Sequence, residues 1–277
     1  IFNNVTLGNL NMNTNTSTSS FIFFIFLFSK ICLAQGPTSP ALGFNIFTEN
    51  NAILNTNESE GSVAIGGDLI LKGNYRVSIH DCGVFTNNGL KIGLLVNGNI
   101  DFNSSSNGQL YVNSNYYAKI GNGNNTKVWY KDQNNAASPI RITKNNNYNS
   151  STRVHLQANA TTLGNVSQTN NPVIEPGLID FSTAFQTMRN SSTSISQNSH
   201  NAQLTNPNGQ LISNTNLPNQ VKINLQDGIN YLNITGSDLN NVDVFTYNNQ
   251  PSSSKILVIN VDASGTFNWE VWNQAGV

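Results

Sequence analysis

The side chains that could make or break bonds are few: 14 Asp and Glu, 3 His and 2 Cys among 277 residues. A polysaccharide lyase or glycosidase needs two acids, or a basic residue with a metal cluster, converging on one face. Glu58 and Glu60 share a face of an extended chain, as do Glu49 and Asn51, but no spacing sets a second pair opposite them. They read as solvated turn acids. The tripeptide His80-Asp81-Cys82 holds the parts of a thiol nucleophile site. Consecutive residues of a strand point to opposite faces, however, so it reads as a turn ending in Gly83. His80, His155 and His200 are isolated, and no Cys/His spacing suits zinc. Oxygen donors at Asp68, Asp81 and Asp101, amid many Asn carbonyls, could take calcium, although no EF-hand or nonapeptide repeat is present. The expectation is no catalytic residue, no metal site and no cofactor, with calcium the one ion these donors could hold. A β-helix polysaccharide-active enzyme is the alternative to a pure binding role.

Recognition would then fall to amides and aromatic rings. Tyr111, Tyr116, Tyr117, Trp129 and Tyr130 alternate with Gly, Asn and Lys and form the candidate ligand-binding set; cross-strand packing is the competing use of such residues. Charged residues make up 10% of the chain, the formal net charge is −1, and Asn fills about 50 positions. A globular domain usually carries ~25% charged residues, so solubility here rests on amides and hydroxyls. Lys and Arg are not clustered along the chain, which argues against nucleic acid, because phosphate binding relies on grouped cations. The regular Thr-x-Thr rows of a flat ice-binding face are missing too.

The elements that must position these residues are short strands between polar turns. Val63-Ala64-Ile65 leads through Gly66-Gly67-Asp68 into Leu69-Ile70-Leu71, and Leu90 to Val96 leads through Asn97-Gly98 to Phe102. Further strands are expected at 109–112, 116–120, 127–130 and 153–156, then at 221–225, 231–235, 242–247, 255–261 and 266–272. Asn and Gly at the turns suit left-handed backbone, and stacked Asn side chains can form amide ladders. Between Pro176-Gly177 and Asn206-Pro207, Phe181, Ala184, Phe185, Met188 and Ile195 fall at helical spacing after an N-capping Asp180. The expected fold is mainly β: an irregular β-solenoid or β-helix-like domain with one inserted amphipathic helix at about 180–198.

Export is expected from the apolar run Phe21 to Phe28 and from Cys32-Leu33-Ala34 before Gln35, which together resemble a secretory leader. That divides the chain into 1–34, signal peptide and upstream residues, and 35–277, a single β domain. Removing the leader leaves Cys82 as the sole thiol, so stability must come without an intramolecular disulfide. Asn-x-Ser/Thr sequons at Asn103, Asn124, Asn159 and Asn233 follow by chance from an Asn-rich composition.

In chain order, Phe44-Asn45-Ile46-Phe47, Glu60 to Asp68 and Asn74-Tyr75-Arg76-Val77 resemble the opening of choice-of-anchor A domains. Ile179-Asp180-Phe181, Leu232 to Asp238, Val244-Phe245, Val258 to Val261 and Val271-Trp272-Asn273 resemble that family's later landmarks. The likeness runs from about Phe44 to Asn273. It implies a β-solenoid-like adhesive domain with Ala64, Gly66, Gly67 and Asp68 as a structural motif and no catalytic residues to transfer. It also implies a secreted or cell-surface binding module for an extracellular matrix protein or glycan. Relatives continue past the Trp-Asn landmark toward a sorting or anchoring segment, so the chain is expected to be a fragment, its membrane or wall attachment lying beyond Val277.

Overall fold

The computed structural model describes residues 36–263 and Asn268. The expected leader and, Asn268 apart, the expected strand at 266–272 lie outside the described residues, as does the Val271-Trp272-Asn273 landmark.

Strands of two to eight residues carry the fold. A first pass of chain forms β1 (Ile46–Thr48), β2 (Ala52–Leu54) and β3 (Asn57–Glu58); a second forms β4 (Val63–Ile65), β5 (Leu69–Leu71) and β6 (Tyr75–Val77). Each strand of the second pass pairs in parallel with its counterpart in the first: Phe47 lies beside Ala64, Ile53 beside Ile70 and Glu58 beside Arg76. The third pass begins after β7 (Thr86–Asn87), which forms a hairpin with β8 (Leu90–Val96), and ends in β9 (Gln109–Val112). β8 and β9 pair in parallel with β4 and β6, and an isolated parallel bridge joins Leu69 to Ile100 on the middle side. β10 (Tyr117–Ile120) extends the first sheet, after which β11 (Thr126–Trp129), β12 (Pro139–Lys144) and β13 (Arg153–Asn159) form an antiparallel set joined to β9. The result is one sheet ordered β1-β4-β8-β10 and a second ordered β11-β12-β13-β9-β6-β3. Val63, Ile65, Leu69, Leu71, Val77, Leu94 and Val112 are fully buried in the core these sheets share. The strand at Pro139–Lys144 was not foreseen, because its alternation is masked by Pro139 and a Lys-Asn-Asn-Asn flank.

Bends between passes decide what can stand there. A Cβ on Gly66 would lie 2.2 Å from the carbonyl oxygen of Glu49, and one on Gly67 2.6 Å from the backbone nitrogen of Asn51. One on Gly98 would lie 2.7 Å from the carbonyl oxygen of Gly67, and one on Gly121 2.0 Å from that of Asn97. Glycine is required here by the backbone of the neighbouring pass, not by a left-handed φ. Backbone bonds continue around the bend, with the Gly67 N–H donating to Asn50 and the Gly98 N–H to Gly67 at 3.1 and 2.9 Å. Where the backbone has no acceptor, side chains supply one: Asn51 Oδ1 accepts from the Asp68 N–H and Asp68 Oδ1 from the Asn99 N–H, each at 2.8 Å. The motif Ala64, Gly66, Gly67, Asp68 is therefore a strand residue, two steric gaps and a cap. Amides also occupy the outer turns: nine of the twelve described non-glycine residues with positive φ are Asn, a residue whose short polar side chain tolerates that conformation.

Helix α1 (Phe181–Ser196) begins at Asp180, whose Oδ1 accepts from the Thr183 N–H at 3.0 Å. It lies over the first sheet. Phe181 and Phe185 stack on Phe47 at 4.8 and 5.4 Å, and Arg189 forms two bonds with Glu49. Ala64, Leu95 and Lys119, which share a cross-strand row with Phe47, are buried, and Lys119 pairs there with Glu175 and the Pro172 carbonyl. A continuous apolar strand such as β4 is what a sheet covered on both faces demands.

The remaining strands are β14 (Gln203–Thr205), β15 (Leu211–Ile212), β16 (Gln220–Asn224), β17 (Gly228–Thr235), β18 (Val244–Tyr247) and β19 (Lys255–Asp262). They build a smaller core from Leu204, Val221, Ile223, Leu232, Val242 and Phe245. β17 and β19 pair in parallel over eight residues. Between β17 and β18 sits α2 (Gly236–Asn241), opened by a capping box in which Thr235 and Asp238 satisfy each other's backbone N–H groups. Six residues are too few to show an amphipathic period, so apolar spacing does not reveal this second helix.

Replacing Gly66 with Val should cost about 3 kcal/mol or more, since the added carbons meet backbone that cannot rotate away. Thermal denaturation checks this, and a melting temperature equal to that of the wild type would show that the bend does not require glycine.

Candidate functional site

The outer face of the six-stranded sheet brings scattered residues into one line. Register places Glu58, Arg76, Tyr111, His155, Arg141 and Trp129 side by side on β3, β6, β9, β13, β12 and β11. Period-two alternation sends their neighbours inward: Val77, Val112, Val154 and Ile142 are buried. A second row one step along carries Gln109, Arg153, Thr143 and Lys127. Arg76 and Lys127 are exposed, and Arg141 and Arg153 half-buried. Glu58 is the only acid in the two rows.

These groups brace one another. The Tyr111 and His155 rings stack at 5.3 Å and 7°, so each covers a face of the other. Tyr111 Oη donates to Gln109 Oε1 at 2.7 Å. Tyr148, from the loop between β12 and β13, stands edge-on to Trp129 at 5.2 Å, and the Arg141 guanidinium lies 4.1 Å over its ring. Lys127 Nζ sits 5.7 Å over Trp129, whose indole N–H donates to Thr143 Oγ1 at 2.9 Å. Arg141 Nη1 donates to the Tyr148 carbonyl at 3.1 Å and Arg153 Nη1 to the Ser150 carbonyl at 2.7 Å. Burial, then the Arg153 and Arg141 charges, push the His155 imidazole down from 6.5 to about 4. A neutral ring is also what its contact with Arg153 needs, because His155 Nε2 accepts from Arg153 Nε. Burial foremost, with Arg141 next, lowers the Arg153 guanidinium from its ordinary value. Beside the row, Thr56, Asn57, Glu58, Asn74, Arg76 and Tyr111 line an open depression of about 370 Å³.

Of the five aromatics expected to contact ligand, the structure puts two on this face, Tyr111 and Trp129. Tyr116 and Tyr117 are 2% and 0% exposed and belong to the core, where Tyr116 bonds Asp81 and Tyr117 Oη donates to the Asn171 carbonyl at 2.7 Å. A ring enclosed in this way has no surface to offer a macromolecule. Tyr130 packs against the same core, and its Oη accepts from the Val173 N–H at 2.9 Å, because alternation in β11 aims it the opposite way from Trp129. Arg76, Lys127, Arg141, Arg153, His155 and Tyr148 were missed. Their one-dimensional separation hides the site, and only strand pairing assembles it.

The acids are dispersed. Glu49 meets Arg189, Glu60 meets His80 at 3.0 Å, and Glu58 joins the sheet row. Cys82 is exposed, with its thiol toward the Glu60 and His80 carbonyls. Asp68 caps Asn99, Asp81 pairs with Lys91 and Tyr116, and Asp101 accepts from the Asn103 and Ser104 N–H groups. Among the described residues, no three of His, Cys, Asp and Glu gather closely enough to hold a metal ion. No described helix is long and apolar enough to cross a membrane.

The chain is mainly β, stacks parallel passes and, among the described residues, leaves one polar sheet face uncovered. The family described as "Putative Ice-binding-like adhesive domain" matches residues 37–276, and the chain belongs to that family. No curated protein and no solved structure matches it.

The half-buried imidazole makes the face acid-sensitive. The unfolded chain takes up a proton on His155 near pH 6.5, whereas the folded chain refuses it until about pH 4. Stability present above pH 6.5 is therefore lost as pH falls toward 4, by about 1–2 kcal/mol once solvent screening of a half-exposed ring is allowed for. His155→Gln keeps an acceptor and cannot titrate, so its melting temperature should fall less between pH 7 and pH 4.5 than that of the wild type. Parallel melting curves for the two proteins across that range would refute the assignment.

Proposed function

We propose that the chain is an adhesin-like binding module, exported or displayed at a cell surface, whose outer six-stranded sheet face contacts an extracellular protein or glycan. The observation that carries this is the continuous row Arg76, Tyr111, His155, Arg141 and Trp129, built from five strands and braced by stacking. Membership of an adhesive family supports it. Rows on paired strands hold their spacing without the ligand, which lowers the ordering cost of binding.

In this reading the parallel passes form an irregular β-solenoid, with α1 laid along one side and the sheet face on another. The in-register stacking of β1 to β9 supports that architecture. The order of the landmarks favours the finer likeness to choice-of-anchor A domains, and with it a place at the cell surface. A binding role without catalysis is the reading favoured, since Glu49 and Glu60 pair with Arg189 and His80 and stand apart from Glu58 in the sheet row. The sheet face would act through Tyr111 and Trp129, and calcium is not needed to assemble it.

Binding to immobilised extracellular matrix proteins and glycans tests this. The double variant Tyr111→Ala/Trp129→Ala should bind the recognised ligand ~30-fold more weakly, the loss of about 2 kcal/mol that an interface aromatic typically supplies. Trp129→Phe, which keeps the packing against Tyr148, should retain the wild-type melting temperature and separate a folding defect from a contact defect. Full affinity in the double variant would remove the sheet face from the account, and release of reducing ends or unsaturated sugars from a glycan would replace binding with catalysis.

A further inference from the structure

We infer that the ligand of the sheet face is a linear polysaccharide bearing carboxylates or sulfates, lying across the strands along the Arg76 to Trp129 row; this rests on the adhesive reading above. Three features of the face select that chemistry.

The first is charge. The chain has 13 Lys and Arg and a formal net charge of −1, yet Arg76, Arg141, Arg153 and Lys127 meet on two adjacent rows with Glu58 as the only acid. Guanidinium groups are suited to planar oxyanions, which they bind in bidentate fashion. The second is geometry. Arg76 and Trp129 are separated by four strand spacings, about 19 Å, so the cations line a track that runs perpendicular to the strands. An acidic peptide joining a sheet adds along an edge and takes backbone bonds there. The backbones of β6, β9, β13 and β12 are already paired on both sides, and only the edges β3 and β11 are free, so a chain lying across the strands finds no run of backbone partners along the track.

The third is the state of the rings. Nucleic acid bases need free aromatic faces on which to stack. Here Tyr111 and His155 cover each other, Arg141 covers a Tyr148 face, and Lys127 lies over Trp129. One face of each of these rings is therefore already taken, and around them stand polar side chains: the imidazole of His155, the Tyr111 hydroxyl and the amides of Gln109, Asn57 and Asn74. Such groups exchange hydrogen bonds with sugar hydroxyls, while the guanidinium groups take the acid substituents.

Five probes decide the matter by calorimetry or surface binding: polygalacturonate, heparin, dextran, poly-glutamate and a single-stranded oligonucleotide. The wild-type chain should bind polygalacturonate or heparin and leave dextran unbound, with affinity falling at least about tenfold between 50 and 200 mM salt as ionic contacts are screened. Arg76→Ala/Lys127→Ala, both at exposed positions, should weaken that binding at least about tenfold with an unchanged melting temperature; Arg76→Gln/Lys127→Gln repeats the test with longer side chains if the first variant unfolds. Equal binding of dextran, tighter binding of poly-glutamate or the oligonucleotide, undiminished binding by the charge variants, or no binding of either anionic polysaccharide overturns the inference. If the anionic polysaccharides fail while a matrix protein or neutral glycan binds through Tyr111 and Trp129, the adhesive reading survives and this ligand class does not.

Discussion

Parallel passes of chain stacked at the spacing of hydrogen-bonded strands, about 4.8 Å, leave almost no room where the chain turns from one sheet to the next. That constraint governs the molecule. At the bend after β4, Gly66 and Gly67 stand against the backbone of residues 49 to 51, and Gly98 stands against Gly67 in turn. Any side chain pointing into the stack would separate the passes and break the register of every strand beyond it. Backbone N–H groups left over at the bend are answered by Asn51 and Asp68, one pass capping the next. A chain built this way has more use for amides than for charges, which is a physical reason for an Asn-rich and weakly charged composition.

Because the bends fix the passes, they also fix which faces are open. The sheet that begins with β1 is closed by α1 through Phe181 and Phe185 on Phe47 and by the Arg189 pair with Glu49. Among the described residues no helix covers the six-stranded sheet in this way, and its outward rows hold the rings and guanidinium groups on strands whose inward residues Val77, Val112, Val154 and Ile142 are wholly buried. Rigidity and exposure thus come from the same stacking. Ligand contacts placed on strands keep their geometry better than contacts placed on loops, and the braced pairs Tyr111 with His155 and Arg141 with Tyr148 continue that rigidity into the side chains.

Local pattern made much of the scaffold readable. The Gly-Gly-Asp bend between two apolar triplets, the long apolar run of β8, the alternation of β16 and the Asp180-capped helix all appear within a residue or two of where sequence places them. For the short helix α2 the legible signal is the spacing of Thr235 and Asp238, a capping box, not an apolar period. The sheet face was hidden for a stronger reason. Arg76, Tyr111, His155 and Trp129 are separated by tens of residues, and nothing local states that β9 lies between β6 and β13. Alternation alone could have divided Trp129 from Tyr130, since adjacent strand residues cannot share a face. Tyr116 and Tyr117 could not be sorted that way. Both are buried, one at the entry to β10 and the other within it, where sheet and covering segments enclose both sides.

The central claim is that the outer face of the six-stranded sheet, and no other surface, meets the ligand. Side-chain NMR of the arginine guanidinium, histidine imidazole and tryptophan indole groups during titration with a bound ligand reads that face directly. The account predicts shifts concentrated on Arg76, Arg141, Arg153, His155 and Trp129, with Arg189 of α1 unmoved. Shifts at Arg189 or at His80 with a silent sheet row would contradict it.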